Sequence, residues 1–380
     1  MKLTILRTEL NEAVQNVSKA VSARSTIPIL SGIKIDVTNR GVTLTASDTD
    51  ISIQHFIPLE SASKTVVKVE RPGSVVLPAK FFVEIVKKLP HEEVNLEVGE
   101  RFQTLIHSGA TEIQLVGLDP EEFPVLPVLE EERVFSIPGD LLRSMIRQTV
   151  FAVTTNESTP ILTGVLWSLQ EGVLKFVATD RHRLATCKTN IDADPSLKFG
   201  GVVISGKTLN ELSKIIPDQN TLVDIVVADN QVLFKLGEVL FFSRMLDGAY
   251  PDTSKIIPGQ FKTELVLNTK SLSEAIDRAY LLSREEKTNI VRLLTTEDGN
   301  IEINSSSSEL GRVQEHLDVT DLTGEPLRIA FNSKYMLDVL KVVDSEQLYI
   351  GFNGSMSPII FKPRDHENSL HLILPYRTTN

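Results

Sequence analysis

The amino-acid sequence predicts an α+β protein of three tandem domains, each with two helices packed on antiparallel β-sheets. Three observations support this prediction. The chain has 380 residues, which exceeds one ordinary hydrophobic core and favours two or three domains. A strand–turn–helix segment recurs at a fixed spacing, and a strand–turn–strand segment recurs as well. Because repetition at a fixed period is typical of duplicated structural units, we expect three copies of one domain plan.

The strand–turn–helix segment places a lysine at the same position in each copy. Lys80, Lys207 and Lys334 are separated by 127 residues and again by 127 residues. Each copy begins with apolar, largely β-branched residues, turns over two residues, and continues with apolar residues at helical spacing. The copies read VVLPAKFFVEIVKKLP from Val75, VVISGKTLNELSKIIP from Val202 and IAFNSKYMLDVLKVVD from Ile329.

The strand–turn–strand segment predicts a β-hairpin in each copy. It begins at Ile27, at Thr159 and, in a weaker form, at Thr288, and a turn with a polar residue and glycine separates its two strands. A helix is predicted before each hairpin, over residues 9–24, 140–153 and 270–283. Polar turns that contain Phe123-Pro124 and Tyr250-Pro251 close the first two copies. The predicted domains are therefore residues 1–128, 129–258 and 259–380.

Composition excludes several classes of protein and site. No apolar run approaches the roughly 20 residues that span a bilayer, and the apolar start is too short for a secretion signal. The single cysteine, Cys187, excludes disulfides within the chain and cysteine-rich zinc sites. The seven histidines show no metal-ligand spacing, and no nucleophile elbow occurs. We therefore expect a cytoplasmic protein with no catalytic residues, no metal and no cofactor.

One stretch has the spelling of a phosphate-binding loop and raises the alternative of a P-loop NTPase. Residues 201–208 read G-x-x-x-x-G-K-T, the pattern that cradles nucleotide phosphates. However, Val202, Val203 and Ile204 stand where a loop would need unusual backbone angles, and β-branched residues favour a strand. The lysine recurs in the other two copies, whereas the glycines do not. We expect Lys207 to lie in the first turn of a helix.

The charge distribution favours a polyanionic partner. The formal net charge is −11, which by itself disfavours nucleic acid. The six predicted helices nevertheless carry a net +5, which leaves −16 on the rest of the chain. One explanation is that lysine is a good helix former. The other is that all six helices face one polyanion and contact its phosphates without reading a sequence.

Taken together, the motifs resemble the bacterial β sliding clamp family, the processivity subunit of DNA polymerase III. The resemblance covers the whole chain. It rests on Arg24 with IPILSG, on LPAKFF, FPVLP, TDRHRLA and SGKTLNEL, on FFSRMLDG followed by YPD, and on the terminal LP-R. It implies three similar domains per chain and two chains joined head to tail in a closed ring, with twelve helices lining the hole. It also implies no enzymatic activity, opening by an ATP-driven clamp loader, and docking of DNA polymerases and repair proteins through short linear motifs.

The resemblance assigns roles to individual residues. Contacts with duplex DNA, without sequence specificity, are implied for Arg24, Lys80, Asn156 and Lys207. A partner-peptide pocket is implied for Leu162, Thr179, His182, Arg183, Leu184, Pro251, Ile256, Tyr335, Leu374, Pro375, Tyr376 and Arg377. The joint of the homodimer is implied for Ile113, Leu115, Leu281 and Leu282. Tyr376 departs from the smaller or thioether residue that the family pattern has, and three residues follow Arg377. A protein-binding repeat scaffold that forms no ring remains a second alternative.

Overall fold

A computed structural model describes residues 1–22, 27–61, 63–126, 129, 133–217, 221–285, 288–307 and 309–377. By its internal contacts the chain forms two compact units. Unit 1 contains Met1–Asp140 and Glu211–Met245, and unit 2 contains Leu141–Asn210 and Leu246–Asn380.

Six α-helices lie in the described residues, and they correspond to the six that the repeats predict. They are α1 (Arg7–Val17), α2 (Ala79–Lys88), α3 (Gly139–Val150), α4 (Gly206–Ser213), α5 (Thr269–Ser283) and α6 (Ser333–Leu340). Helices α1 and α2 belong to unit 1 and helices α5 and α6 to unit 2, whereas α3 and α4 each contain a unit boundary.

Two of the predicted helix ends are wrong. Helix α1 ends at Val17 and is followed only by a 3-10 turn over Ser18–Ala20, so it does not reach Arg24, which lies outside the described residues. The Ser18 hydroxyl donates a hydrogen bond to the Gln15 carbonyl at 2.9 Å, and this kind of local bonding competes with a continuing helix. Helix α3 ends at Val150 rather than at residue 153.

Twenty-eight strands occur in the described residues. They are β1 (Lys2–Leu6), β2 (Gly32–Thr38), β3 (Gly41–Ser47), β4 (Ile51–Pro58), β5 (Glu60–Ser61), β6 (Lys64–Thr65), β7 (Val67–Arg71), β8 (Gly73–Pro78), β9 (Glu93–Val98), β10 (Gln103–Ser108), β11 (Thr111–Val116), β12 (Val134–Pro138), β13 (Gly164–Gln170), β14 (Val173–Thr179), β15 (Arg183–Asn190), β16 (Phe199–Ser205), β17 (Leu222–Val227), β18 (Gln231–Leu236), β19 (Val239–Arg244), β20 (Thr263–Asn268), β21 (Ile290–Thr295), β22 (Ile301–Ser307), β23 (Gly311–Leu317), β24 (Asp321–Gly324), β25 (Arg328–Asn332), β26 (Gln347–Phe352), β27 (Ile359–Pro363) and β28 (Ser369–Ile373).

Unit 1 contains an eight-stranded and a five-stranded antiparallel sheet, together with the short β5–β6 pair. The larger sheet has the order β12-β17-β18-β19-β4-β3-β2-β8, and the smaller has the order β11-β10-β9-β1-β7. Helix α1 buries Leu10, Ala13, Val14 and Val17, and helix α2 buries Phe82 and Val86. Strand β11 forms an edge, because within the described residues it pairs along its length only with β10.

Unit 2 contains a nine-stranded and a four-stranded antiparallel sheet. The larger has the order β16-β13-β14-β15-β28-β27-β26-β20-β24, and the smaller has the order β23-β22-β21-β25. One core cluster includes Leu272 and Ile276 of α5 and Met336 and Val339 of α6. The large sheet joins the predicted second and third domains through β15 and β28, where Leu184 lies opposite Leu372.

Candidate functional site

The segment with the phosphate-loop spelling is a β-strand, as the sequence predicts. Strand β16 extends to Ser205, and Val203 and Ile204 pair with Leu166 and Val165 of β13. Their backbone groups are therefore committed to a sheet ladder and cannot form the nest of N–H groups that a phosphate loop needs. Helix α4 starts at Gly206, which places Lys207 in its first turn.

The three repeated lysines occupy equivalent, solvent-exposed positions. Lys80, Lys207 and Lys334 each lie in the first turn of a helix, and each side chain is exposed. Asn156 is also exposed, in a turn where its side-chain oxygen accepts a hydrogen bond from the Ser158 N–H at 3.0 Å. Of the four predicted DNA-binding residues, Arg24 lies outside the described residues.

The predicted helix charge is too high. Within the observed bounds the six helices carry a net +2, not +5. The difference arises because Lys19, Lys214 and Lys341 lie beyond the helix ends and Arg24 lies outside the described residues, whereas α1 gains Arg7. The positive charge is therefore concentrated on α2 and α3 and in the segments that follow the helices.

An apolar floor lies in unit 2 beside the predicted partner-pocket residues. Val177, Leu184, Ile360 and Leu372 form a buried cluster on the large sheet. Partly buried side chains that pack against this cluster come from Leu166, Tyr250, Ile257, Phe261 and Leu370. Of the twelve predicted pocket residues, only Leu184 belongs to this floor, and its partners Val177, Ile360 and Leu372 were not predicted.

A network of carboxylates around Arg183 forms the polar edge of this region. The Arg183 guanidinium donates to Asp180 at 3.0 Å and to Asp338 at 2.6 Å. Only 11% of the Arg183 side chain and 24% of the Asp338 side chain are exposed. The other Asp180 oxygen accepts hydrogen bonds from the backbone N–H groups of His182 and Arg183, so the polar groups of the TDRHR turn satisfy one another.

Two aromatic rings contact the same guanidinium. The Arg183 group lies 4.5 Å from the Tyr335 ring centroid and 5.4 Å from that of Phe151. The His182 ring stacks on Tyr335 at 6.4 Å, and the ring of the fully buried His371 lies 5.7 Å from Phe151. Burial lowers the pKa of His371 to about 4, so the last ring of this column is neutral near pH 7.

Hydrogen bonds fix Thr179 and Tyr250. The Thr179 N–H donates to the Tyr250 hydroxyl at 3.1 Å, and the Thr179 hydroxyl donates to the Arg183 carbonyl at 2.6 Å. Burial raises the pKa of Tyr250 to about 12, so the phenol remains protonated. The sequence shows Tyr250 as part of a repeated aromatic–proline pair, and its position directly before the predicted pocket residue Pro251 is the signal that places it at the pocket.

The remaining predicted pocket residues lie around this floor and its polar edge. The Leu374 N–H donates to the His182 carbonyl at 2.8 Å, and the Tyr376 N–H donates to the Ala330 carbonyl at 2.7 Å. Leu162 is buried in a 3-10 turn before β13, whereas Pro251, Ile256 and Arg377 are exposed. Strand β28 ends at Ile373, just before Leu374.

The predicted joint residues lie on an edge strand of unit 1 and on a helix of unit 2. Ile113 and Leu115 are half-buried on β11, next to a cavity of about 540 Å³ that α2 and β11 line. On α5, Leu281 is 51% exposed, whereas Leu272 and Ile276 are fully buried. The adjacent Leu282 is partly buried, so Leu281 lies outside the core stripe of α5.

Neither a metal site nor a membrane-spanning helix is found in the described residues. No group of three or more His, Cys, Asp or Glu side chains there has an arrangement that could hold a metal ion. No helix there is long and apolar enough to cross a membrane.

Comparison with known proteins identifies the family along the whole chain. Residues 1–127, 136–252 and 254–377 match the N-terminal, central and C-terminal domains of the DNA polymerase III beta subunit. The beta sliding clamps of Halalkalibacterium halodurans and Bacillus subtilis are each 51% identical, over 379 and 378 residues, with 100% of both chains covered. The crystal structure of the DNA polymerase sliding clamp from Bacillus subtilis has a TM-score of 0.97 over 100% of both chains. These matches confirm the resemblance and the prediction of three tandem α+β domains, and the chain therefore belongs to the DNA polymerase III beta subunit family of sliding clamps.

Proposed function

We propose that this chain acts as a DNA sliding clamp, in which two copies join head to tail and encircle duplex DNA. Its membership of the clamp family along its full length carries the proposal. The clamp is the processivity factor of DNA polymerase III and tethers polymerases and repair proteins to the duplex. We divide it into domains 1–128, 129–258 and 259–380.

DNA is held inside the ring by non-specific phosphate contacts. Lys80 and Lys207 are exposed in the first turns of α2 and α4, and Asn156 is exposed in a turn. Arg24 is assigned a DNA contact from the family pattern alone. Phosphate contacts from lysine and arginine carry no sequence information. Because the net charge is −11 and the helices contribute only a small positive charge, direct affinity for DNA is weak, and topology retains the clamp.

The ring joint forms between the β11 edge of one copy and the α5 end of another. An unpaired strand edge is a ready template for another chain, and Phe81, which is 57% exposed, adds apolar surface beside β11. Leu281 and Leu282 supply the complementary apolar surface. Because the two surfaces differ, the joint is heterologous, and a head-to-tail ring closes when the rotation permits it.

Short linear motifs of polymerases, repair proteins and the clamp loader dock in the unit 2 pocket. An apolar floor with a few fixed polar groups suits a short peptide. Leu184 and the neighbouring floor residues would take its apolar side chains, while His182 and Arg183 with Tyr335 form its polar wall. The clamp has no enzymatic activity of its own, and its place of action is the cytoplasm.

Retention on circular DNA tests the proposal. Protein loaded onto a nicked circular plasmid by an ATP-driven clamp loader should remain bound through gel filtration in high salt. It should leave once a restriction enzyme linearises the plasmid at unchanged salt. Binding by six to ten phosphate contacts alone would instead lose about 10³–10⁵ in affinity between 50 and 200 mM salt. Equal loss from circular and linear DNA would refute the ring and favour a protein-binding scaffold.

A further inference from the structure

A second, charged surface lies next to the segment Leu374–Tyr376 of the proposed peptide pocket. We call it the arginine shelf, and define it by Arg292, Arg328, Met356 and Tyr376, which line a cavity of about 270 Å³ in unit 2. Two of its members are large and exposed, since Met356 is 54% and Tyr376 is 47% accessible.

The two arginines lie on the same face of the four-stranded sheet. Arg292 of β21 lies opposite Ala330 of β25, and Arg328 lies two residues from Ala330 on the same strand. Because side chains along a strand alternate between faces, Arg292, Ala330 and Arg328 share one face. Their neighbours Val291 and Ile329 point to the other face and are buried in the core.

Within the described residues, no acidic side chain neutralises either arginine. In the part of the chain that the structure describes, Arg292 and Arg328 form no ion pair and no side-chain hydrogen bond. The nearest acid in the strand register is Glu302, two residues from Asn304, which lies opposite Arg292. The Glu302 carboxylate is already engaged, because it accepts hydrogen bonds from Asn304 and Gln314 and lies 3.8 Å from the His316 ring.

The main chain connects this shelf to the peptide pocket. Leu374, at the pocket, is bonded through its N–H to the His182 carbonyl, and Tyr376 is bonded to the Ala330 carbonyl between the two arginines. Two residues of extended chain span about 7 Å. A bound peptide that leaves the pocket along this segment therefore reaches the shelf within two or three residues of its last apolar anchor.

We propose that the arginine shelf binds an acidic residue that flanks the docking motif of a partner protein. Guanidinium groups match carboxylates in a planar, bidentate geometry, and the exposed Tyr376 ring and Met356 thioether give the flanking segment apolar contact. This inference rests on the proposed function of the pocket and adds a charge preference to it. Partners with acidic flanks bind more tightly than partners with neutral flanks, and the difference decreases as salt increases.

Fluorescence anisotropy with paired peptides tests the shelf. All peptides carry the same core of Gln, Leu and Phe. In each pair, one peptide has two Asp residues on one flank and the other has two Asn residues at the same positions, and one pair is made for each flank. Exposed ion pairs are worth little individually, so we expect the acidic flank on one side to tighten binding by about threefold to tenfold at 50 mM salt. Changing Arg292→Gln together with Arg328→Gln should abolish that gain and leave the affinity of the Asn peptide within about twofold.

Arg364→Gln is the matched control, because Arg364 is another exposed arginine of unit 2, and it should preserve the gain. Equal affinity of the wild-type protein for both peptides would overturn the shelf while leaving the pocket intact. If neither peptide binds the wild-type protein, the pocket itself is refuted, and the shelf with it. If the double variant loses DNA retention but keeps the peptide preference, the shelf binds phosphates instead.

Discussion

Removing the charge of Asp338 should destabilise unit 2 and weaken peptide binding at the proposed pocket. Arg183 is held by Asp180 and Asp338 together, with the Asp338 contact the shorter at 2.6 Å. Breaking a fully buried pair costs about 3–5 kcal/mol, and a single charged hydrogen bond contributes about 1.5–3 kcal/mol. Because Asp180 remains in Asp338→Asn and Asp338 is partly exposed, we expect a loss of about 2 kcal/mol.

Thermal unfolding and peptide binding together measure this loss. For a unit of this size, about 2 kcal/mol corresponds to a fall of roughly 4–8 °C in melting temperature. Because Arg183 stacks on Tyr335, peptide affinity should also fall by at least about fivefold, the factor that 1 kcal/mol represents. Asp338→Glu, which keeps the charge, should recover part of both losses.

Glu325→Gln is the control, because it removes an exposed ion pair with Lys262 in the same unit and should change neither quantity. An Asp338→Asn protein that melts and binds peptide as the wild type does would show that Asp180 alone holds Arg183. The proposed role of Asp338 in shaping the pocket wall would then be wrong.

Two further outcomes are expected. Changing Leu281 and Leu282 together to Ala should give folded monomers by light scattering, because each buried leucine that is truncated costs about 2–5 kcal/mol; an unchanged dimer mass at nanomolar concentration would place the joint elsewhere. Burial lowers the pKa of His371 from 6.5 in the unfolded chain to about 4 in the folded chain, so between these values the unfolded chain binds more protons and stability falls as pH decreases. His371→Leu should therefore flatten the decline in melting temperature from pH 6.5 to pH 4, and an unchanged decline would show that other groups cause it.

Features set by local periodicity were predictable from the sequence. The starts of α2, α4 and α6 and the strand before Lys207 follow from apolar spacing and β-branched residues. The end of α1 was not predictable, because the hydrogen bond from the Ser18 hydroxyl to the Gln15 carbonyl competes there with a continuing helix. The Arg183–Asp338 contact joins residues 155 positions apart, and no local pattern reports such a pairing. Tertiary packing determines the Arg183–Asp338 contact, and it also brings together the floor residues Val177, Ile360 and Leu372.

The three hairpins share one backbone device at the end of their second strand. The side-chain oxygen of Asp48 accepts hydrogen bonds from the N–H groups two and three residues later, at 2.8 and 2.7 Å. Asp180 does the same at 2.9 and 3.0 Å, and the Ser307 hydroxyl does so at 3.3 Å for both. Short polar side chains favour this turn because they bond their own backbone, so the repeat preserves the turn even where Asp is replaced by Ser.

The residue three positions after the accepting side chain differs among the three copies. It is the buried Ile51 in the first copy, Arg183 in the second and the exposed Leu310 in the third. Only the second copy therefore presents a cation to the turn aspartate and to a helix carboxylate, Asp338. The acid position of Asp338 recurs as Glu84 and Glu211, but Glu84 lies 3.3 Å from Lys88 and Glu211 2.7 Å from Lys214, each on or just after its own helix. The stacked guanidinium wall needs the turn arginine and also a helix carboxylate that is not already paired with a lysine of its own helix segment. Among the three copies only the second turn meets this requirement, so a dimer would carry two such pockets.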